Sequence, residues 1–177
     1  VVCLDEIGPP NTGVKPDADD PEHDEVRARH LWGNLMAGGA GVEWYFGYSY
    51  PDSDLTCEDW RSRDRMWDQT RIALEFFQRW LPFPEMVSDD TRCAVKGSYC
   101  FTKPGEIYAV YLPVADAASL DLSGVTGNFT VLWFNPRNGG ELLTGSVVEA
   151  RGGGEVELGV PPDAPGRDWV VLVRITP

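Results

Sequence analysis

The chain has 177 residues, of which 42% are apolar and 24% charged, and its formal net charge is −13. This composition is ordinary for a folded globular protein. The acidic balance argues against nucleic acid or an anionic membrane surface as a partner, because clustered Lys and Arg side chains bind phosphate groups. No apolar run reaches the ~20 residues of a membrane-spanning helix. Phosphate-loop and zinc-finger spacings are also missing from the sequence, so we expect neither a cofactor nor a metal ion.

The first 84 residues show strand and helix patterns in alternation. Residues 1–4 are apolar on both faces, which is typical of a strand covered on both sides. A loop follows, and then a helix beginning at Pro21 with an apolar stripe at helical spacing. A second strand is predicted over 40–48 and a second helix over about 58–81. Strand, helix, strand, helix predicts a pair of βα units with parallel strands, as in open α/β sheets or barrels.

Residues 85–177 form the second predicted part, after the break at Pro82 and Pro84. Short strands separated by turn residues predict an antiparallel β-sandwich, with Trp133 and Trp169 as core anchors. The predicted strands are 91–95, 98–102, 107–113, 119–123, 129–135, 145–150, 155–160 and 169–176. The fold class is therefore α+β in two parts.

Glu6 is the main candidate for a catalytic residue. Alternation along the first strand puts Glu6 on the side of Val2 and Leu4, just past the carboxyl end. Loops at the carboxyl ends of strands build the active sites of α/β barrels and sheets. A glutamate there can act as a nucleophile or a base. Alternatively, Glu6 or its neighbour Asp5 caps the loop or pairs with an arginine.

Aromatic residues are concentrated at the end of the second predicted strand. Trp44 aligns with Val42 and could offer the flat face of its ring to the C–H groups of a sugar. The alternative is a core aromatic. Tyr48 and Tyr50 fall in the following loop and are better candidates for the rim of a binding site.

An acidic loop precedes the first predicted helix. Asp17, Asp19, Asp20 and Glu22 could bind calcium, although they lack the spacing and glycine of an EF-hand. Capping of the helix together with solvated charge is the alternative interpretation.

Cys93 and Cys100 flank a predicted turn symmetrically. A two-residue hairpin turn would place them opposite each other, where a cross-strand disulfide could form. The alternative is that both are small buried hydrophobic residues.

Several segments resemble a known family. "VVCLDEIGPPNTG", "AGVEWYFGY" and the long helix are similar to the final two βα units of apiosidase-like (β/α)8 glycoside hydrolases of secreted bacterial proteins. "KPGEIYAVYLP" and "WFNPRNGG" resemble the closing β-sandwich of such proteins, labelled "putative collagen-binding domain of a collagenase". The resemblance covers nearly the whole chain. It implies that residues 1–84 come from a truncated barrel and that residues 85–177 form an accessory sandwich.

The resemblance also implies an activity. Glu6 falls where these hydrolases carry the nucleophile, after barrel strand seven, and Trp44 where a sugar-stacking tryptophan is usual. Asp5, Tyr48 and Tyr50 are expected to help bind the carbohydrate substrate. A retaining enzyme also needs an acid/base carboxyl group, normally after strand four, and this chain contains no such strand. The resemblance therefore implies the C-terminal fragment of a secreted or periplasmic glycoside hydrolase, inactive by itself.

Two alternatives to this hydrolase hypothesis remain at the level of the sequence. One is a non-catalytic module that binds collagen or polysaccharide, and the other is a purely structural domain. The missing initiator Met before a buried strand favours a piece of a longer protein. Two isolated βα units would leave apolar barrel faces uncovered, so we also expect them to pack on the sandwich or to self-associate.

Overall fold

The structure is a computed structural model that describes residues 2–5, 7–56 and 59–176. It is mixed α+β, with mostly antiparallel sheets and two helical segments. The chain divides into two compact units, Val1–Leu35 with Gly39–Leu74 and Met36–Gly38 with Glu75–Pro177. Among the helices of the described residues, none has both the length and the apolar character needed to cross a membrane.

The first unit contains two short parallel strands. β1 (Cys3–Leu4) pairs with β2 (Gly41–Val42), with Leu4 opposite Val42. The predicted parallel pairing is confirmed, but the predicted second strand over 40–48 is too long. Beyond β2 the backbone pairs with a loop, because the amide of Val14 donates to the carbonyl of Tyr45 at 2.7 Å.

The first helical segment begins later than Pro21, where the sequence predicted it. A π-helix spans Val26–Trp32 and continues as the α-helix α1 (Gly33–Met36). His23 explains the delay, since it has a left-handed backbone with φ of 46°. Its amide donates to the Asp20 carboxylate at 3.1 Å, which holds this non-helical turn.

The second helix confirms the predicted apolar periodicity. A 3₁₀ turn (Trp60–Arg63) leads into α2 (Asp64–Trp80). The Asp59 carboxylate caps the turn by accepting the Arg61 amide at 3.1 Å. Met66 on α2 packs in a small core of the first unit.

The second unit is built on a six-stranded antiparallel sheet in the order β3-β4-β5-β10-β7-β8. A second, two-stranded antiparallel sheet joins β6 and β9. The strands are β3 (Val87–Ser88), β4 (Tyr99–Lys103), β5 (Ile107–Leu112), β6 (Ala118–Asp121), β7 (Asn128–Phe134), β8 (Glu149–Arg151), β9 (Glu155–Gly159) and β10 (Trp169–Ile175).

The two sheets share one apolar core, as the sequence predicted for a sandwich. Leu120 on β6 and Leu158 on β9 are fully buried in the same cluster as Val171 on β10. Trp133 and Trp169 meet edge to face in this core, with ring centroids 6.1 Å apart. Their expected role as core anchors is confirmed.

The predicted strand over 91–95 is wrong. Asp90–Arg92 form a 3₁₀ turn, and β4 pairs with β3 instead. The Asp90 carboxylate accepts the amide of Cys100 at 2.8 Å, a bond that a partner strand would otherwise supply.

Cys93 and Cys100 are therefore not a cross-strand disulfide. Both are free thiols buried in the sandwich core. Burial raises the pKa of Cys100 to about 12, so this thiol stays protonated and behaves as a small hydrophobic group.

Candidate functional site

The carboxyl ends of β1 and β2 lie at one edge of the first unit. Parallel strands point the same way, so the loops that follow them start side by side. Ile7, just beyond β1, is buried with 3% of its surface exposed. The chain thus turns inward before the loop of residues 8–14 begins.

Backbone hydrogen bonds hold the two loops against each other. The amides of Tyr48 and Ser49 both donate to the carbonyl of Asn11, at 3.0 and 2.9 Å. Together with the bond from Val14 to Tyr45, they fasten the loop after β1 to the segment after β2. The backbones of the two loops are therefore held next to each other.

Two glycines make this close approach possible. Gly13 has φ of 50°, and a Cβ there would lie 2.2 Å from the carbonyl oxygen of Tyr45. Gly47 has φ of 69°, and a Cβ there would lie 2.6 Å from the carbonyl oxygen of Asn11. A side chain at either position would push the loops apart, because both the backbone conformation and the space exclude it.

Glu6, the predicted nucleophile, lies outside the described residues. Its neighbour Asp5 is exposed, and the Cys3 thiol on the same side of the strand hydrogen-bonds to its carboxylate. This bond, followed by desolvation and the charges of Asp5 and Glu43, raises the pKa of Cys3. Asp5 and Glu43 thus bring two carboxylates to one region around the end of β1.

The side chain of Trp44 contacts helix α2. Its indole N–H donates to the Thr70 hydroxyl at 3.0 Å, and its ring packs against the small core around Phe46 and Met66. These contacts fit the alternative interpretation of a core aromatic. The ring is only half-buried, so its role as a sugar platform stays a prediction.

The tyrosines of the second loop differ in exposure. Tyr48 exposes 61% of its surface, and Tyr50 is half-buried. The hydroxyl of Tyr45 donates to the Pro10 carbonyl at 2.6 Å, which adds a side-chain bond between the loops. The placement of Tyr48 and Tyr50 at the rim of a binding site stays a prediction.

Two residues that organise the loops were not singled out in the sequence. The Asp54 carboxylate accepts the amides of Phe46 and Gly47, at 2.7 and 3.0 Å. Arg63 is fully buried; its guanidinium donates to the carbonyls of Val14, Pro51 and Asp52. No local sequence signal marks such residues, since their partners are backbone groups seven or more residues away.

The acidic loop before the first helix is organised around His23. The Asp17 carboxylate lies 2.7 Å from the fully buried His23 ring and also accepts the amide of Arg65 at 2.9 Å. Asp20 accepts the amide of His23 in a turn that precedes the helix, whose N-cap residue Glu25 makes no side-chain cap bond, so the predicted capping of the helix is wrong. Within the described ranges, no group of three or more His, Cys, Asp or Glu residues could hold a metal ion.

Several solved structures are similar to this chain, and two of them are glycoside hydrolases by name. A chain called "Glycoside hydrolase" matches with a TM-score of 0.66 and 16% identity, over 86% of this chain and 37% of its own length. A glycoside hydrolase family 5 structure from Bacteroides vulgatus ATCC 8482 matches with a TM-score of 0.65 and 17% identity, over 87% and 36%. The chain therefore spans little more than a third of the length of these structures.

The family comparison concerns the second unit. No curated protein matches the chain. A family profile described as "Putative collagen-binding domain of a collagenase" matches residues 82–174, more than half of the chain. The chain belongs to the family of the "Putative collagen-binding domain of a collagenase".

Proposed function

We propose that this chain is the C-terminal part of a secreted, retaining glycoside hydrolase of the apiosidase-like kind. In this proposal residues 1–84 are the last two βα units of a (β/α)8 barrel, and residues 85–177 are an accessory sandwich. The observation that carries it is the parallel pairing of β1 and β2, which brings their carboxyl ends and loops to one edge. Similarity to two structures called glycoside hydrolases supports it.

The proposed mechanism uses Glu6 as the nucleophile. Its carboxylate attacks the anomeric carbon and forms a glycosyl ester, while a second carboxyl group protonates the leaving oxygen. Retaining enzymes place the two groups about 5–5.5 Å apart. The second group would come from a barrel strand outside this chain, so the chain by itself should hydrolyse no glycoside. Asp5, Trp44, Tyr48 and Tyr50 would position the sugar.

Covalent trapping tests this assignment in the longer parent protein. A 2-deoxy-2-fluoroglycoside with a good leaving group slows breakdown of the glycosyl ester, so the labelled residue can be read by peptide mass spectrometry. We expect the label on Glu6. A label on Asp5 would move the nucleophile by one position, and a label on a peptide outside residues 1–84 would refute the proposed site.

A pair of isosteric substitutions separates the two neighbouring carboxylates. Glu6→Gln should abolish turnover with the fold intact, whereas Asp5→Asn should mainly raise KM. Glu6→Ala should regain activity with azide and yield a glycosyl azide of inverted configuration, since azide replaces the missing nucleophile. Circular dichroism on each variant controls for loss of the fold.

The faces of β1 bear on the expected self-association. Val2, just before β1, and Leu4 on β1 expose 72% and 38% of their surfaces, although both are apolar. We propose that in the isolated chain this surface contacts a second copy. Light scattering should give a mass above the monomer, and Val2→Asp should lower it. The exposed turn residue Val114 is the matched control, since Val114→Asp changes an apolar surface in the other unit.

A non-catalytic module that binds collagen or polysaccharide is the second candidate. The observation in its favour is that the matching family, over residues 82–174, carries a collagen-binding description. Pull-down on fibrillar collagen and on insoluble plant polysaccharides distinguishes the two ligands. Failure to bind either one would favour a structural role for the sandwich.

A further inference from the structure

The second unit contains a cavity that the proposed catalytic chemistry does not use. It has a volume of about 350 Å³ and lies between the last turns of α2 and the loop after β7. Glycan and small-molecule sites of about 300–1,000 Å³ commonly combine aromatic walls with a few polar groups. The lining residues have this mixture: Glu75, Phe76, Gln78, Arg79, Trp80, Phe134 and Gly140. We call this cavity the α2 groove.

The floor of the α2 groove is aromatic and rigid. Phe76 and Phe134 are buried, with 0% and 2% of their surfaces exposed, and their ring centroids are 4.7 Å apart. Trp80 lies one helical turn after Phe76 and therefore on the same face of α2. Its half-buried ring extends this aromatic surface towards the solvent.

The polar rim is held in place by an ion pair. The Arg79 guanidinium forms two hydrogen bonds with the Glu141 carboxylate, at 2.7 and 2.8 Å. It also lies over the Trp80 ring, 4.4 Å from the ring centroid. Because Glu141 balances the charge of Arg79, the rim offers oriented donors and acceptors without a strong positive potential.

The opposite wall is a preformed turn. The Asn135 side chain accepts the amides of Arg137 and Asn138, at 3.0 and 3.2 Å, and its carbonyl accepts the amide of Gly139 at 2.9 Å. Gly140 has φ of 100°, and nothing lies within 4 Å of where its Cβ would be. The wall is therefore fixed, and its glycine leaves the groove open.

We propose that the α2 groove binds one or two rings of a neutral glycan. A sugar ring has an apolar C–H face for the aromatic floor and vicinal hydroxyls for Glu75, Gln78 and the Arg79–Glu141 pair. Charge argues against an anionic ligand, because the carboxylates of Glu75 and Glu141 outnumber the one cation, Arg79, at the groove, and the chain as a whole has a net charge of −13. A collagen triple helix is a continuous rod of three chains, and such a rod fits poorly into a groove of this size.

This inference deepens the second candidate function, polysaccharide binding, and rests on it without requiring catalysis. Its failure would leave the trapping of Glu6 unaffected, so the two proposals fail separately. The binding test uses the 177-residue protein and a panel of neutral hexasaccharides built from glucose, xylose, mannose, galactose or arabinose. Calorimetry measures the affinity for each one.

The variants isolate the α2 groove. Trp80→Ala should weaken binding at least about tenfold, because it removes the central aromatic contact. Gln78→Ala, on the exposed side of α2, gives a second readout if Trp80→Ala fails to fold. Trp60→Ala is the matched control: Trp60 is half-exposed and also has an arginine over its ring, Arg61 at 4.9 Å, but it does not line the groove.

Three outcomes would overturn the proposal. The first is that none of the neutral hexasaccharides binds. The second is that a hexasaccharide binds, but Trp80→Ala and Gln78→Ala bind it as the wild type does. The third is that a polygalacturonate oligomer or a triple-helical Gly-Pro-Pro peptide binds in a Trp80-dependent way instead. For a neutral glycan the affinity should change less than about twofold between ~50 and ~500 mM salt.

Discussion

Arg137 and Asp168 form a buried ion pair in the sandwich. The guanidinium lies 3.0 Å from the Asp168 carboxylate, and both side chains are at least nine-tenths buried. The Tyr111 hydroxyl donates to the other carboxylate oxygen at 2.7 Å. The pair joins the loop after β7 to the start of β10 and thus fixes one wall of the α2 groove.

Removal of one partner of this pair should be strongly destabilising. Asp168→Ala leaves the guanidinium of Arg137 buried without its counter-charge, which typically costs about 3–5 kcal/mol of unfolding free energy. Chemical denaturation measures the loss. Glu25→Ala is the matched control, since it breaks the exposed pair with Arg29 and should cost less than about 1 kcal/mol. Equal losses of unfolding free energy would contradict the expected effect of burial on the Arg137–Asp168 pair.

Substitution of Gly13 should disrupt the loops at the carboxyl ends of β1 and β2. Gly13→Ala forces a Cβ against the Tyr45 carbonyl, in addition to the strain of a positive φ. Gly105→Ala is the control, because Gly105 also has a positive φ but no atom lies within 4 Å of where its Cβ would be. This substitution should lower the unfolding free energy by only about 1–2 kcal/mol. We expect a clearly larger loss of unfolding free energy for Gly13→Ala in thermal or chemical denaturation. Similar losses would contradict the steric role of this close approach.

The two interpretations of Trp44 predict different kinetics. Trp44→Phe removes the indole donor to Thr70 and should lower the unfolding free energy by about 0.5–1.5 kcal/mol. Thr70→Val should cost a similar amount, and the double variant should add little to either. In the proposed parent hydrolase, a sugar platform requires that Trp44→Ala also raises KM. Lost stability with an unchanged KM would establish Trp44 as a core residue only.

The stability of the sandwich should depend on the ionisation of Asp89. The Thr91 hydroxyl, and then the charge and hydrogen bond of Arg92, hold the pKa of Asp89 below its usual 3.8. The folded state therefore favours the carboxylate, and this stabilisation is present above pH 3.8 and lost as the pH falls through the lowered pKa.

Asp89→Asn should accordingly be less stable than the wild type at neutral pH and equally stable in strong acid. Denaturation midpoints over a pH series check this, with the exposed loop residue Asp163→Asn as the control. A stability difference that is independent of pH would exclude the proposed linkage.

The sequence predicted elements best where a local pattern matches the final environment. Helix α2 and strands β5, β7 and β10 occur where apolar periodicity or continuous β-branched and aromatic runs placed them. These elements are recognisable because apolar residues recur on one face at every turn of the helix, or occupy nearly every position along the strand. The mixed α+β class and the antiparallel sandwich followed from the same patterns.

The errors arose where distant partners replaced local ones. The residues after β2 are apolar like a strand, but their amides and carbonyls pair with Asn11 and Val14. The segment before β4 turns at Asp90, whose carboxylate accepts the Cys100 amide. Asp54 and Arg63 escaped notice because their partners are backbone groups beyond a local turn, seven and eight residues away for Asp54 and up to 49 residues away for Arg63.

The sequence by itself thus determined helix α2 and most strands of the sandwich, the acidic character that disfavours polyanions, and the candidate carboxylates at the end of β1. Only the tertiary structure decided how the loops after β1 and β2 are joined, which contacts Trp44 makes, and that Trp80 opens onto a groove. The physical reason is that side-chain periodicity records which face is buried, whereas long-range folding selects the partner of each polar group.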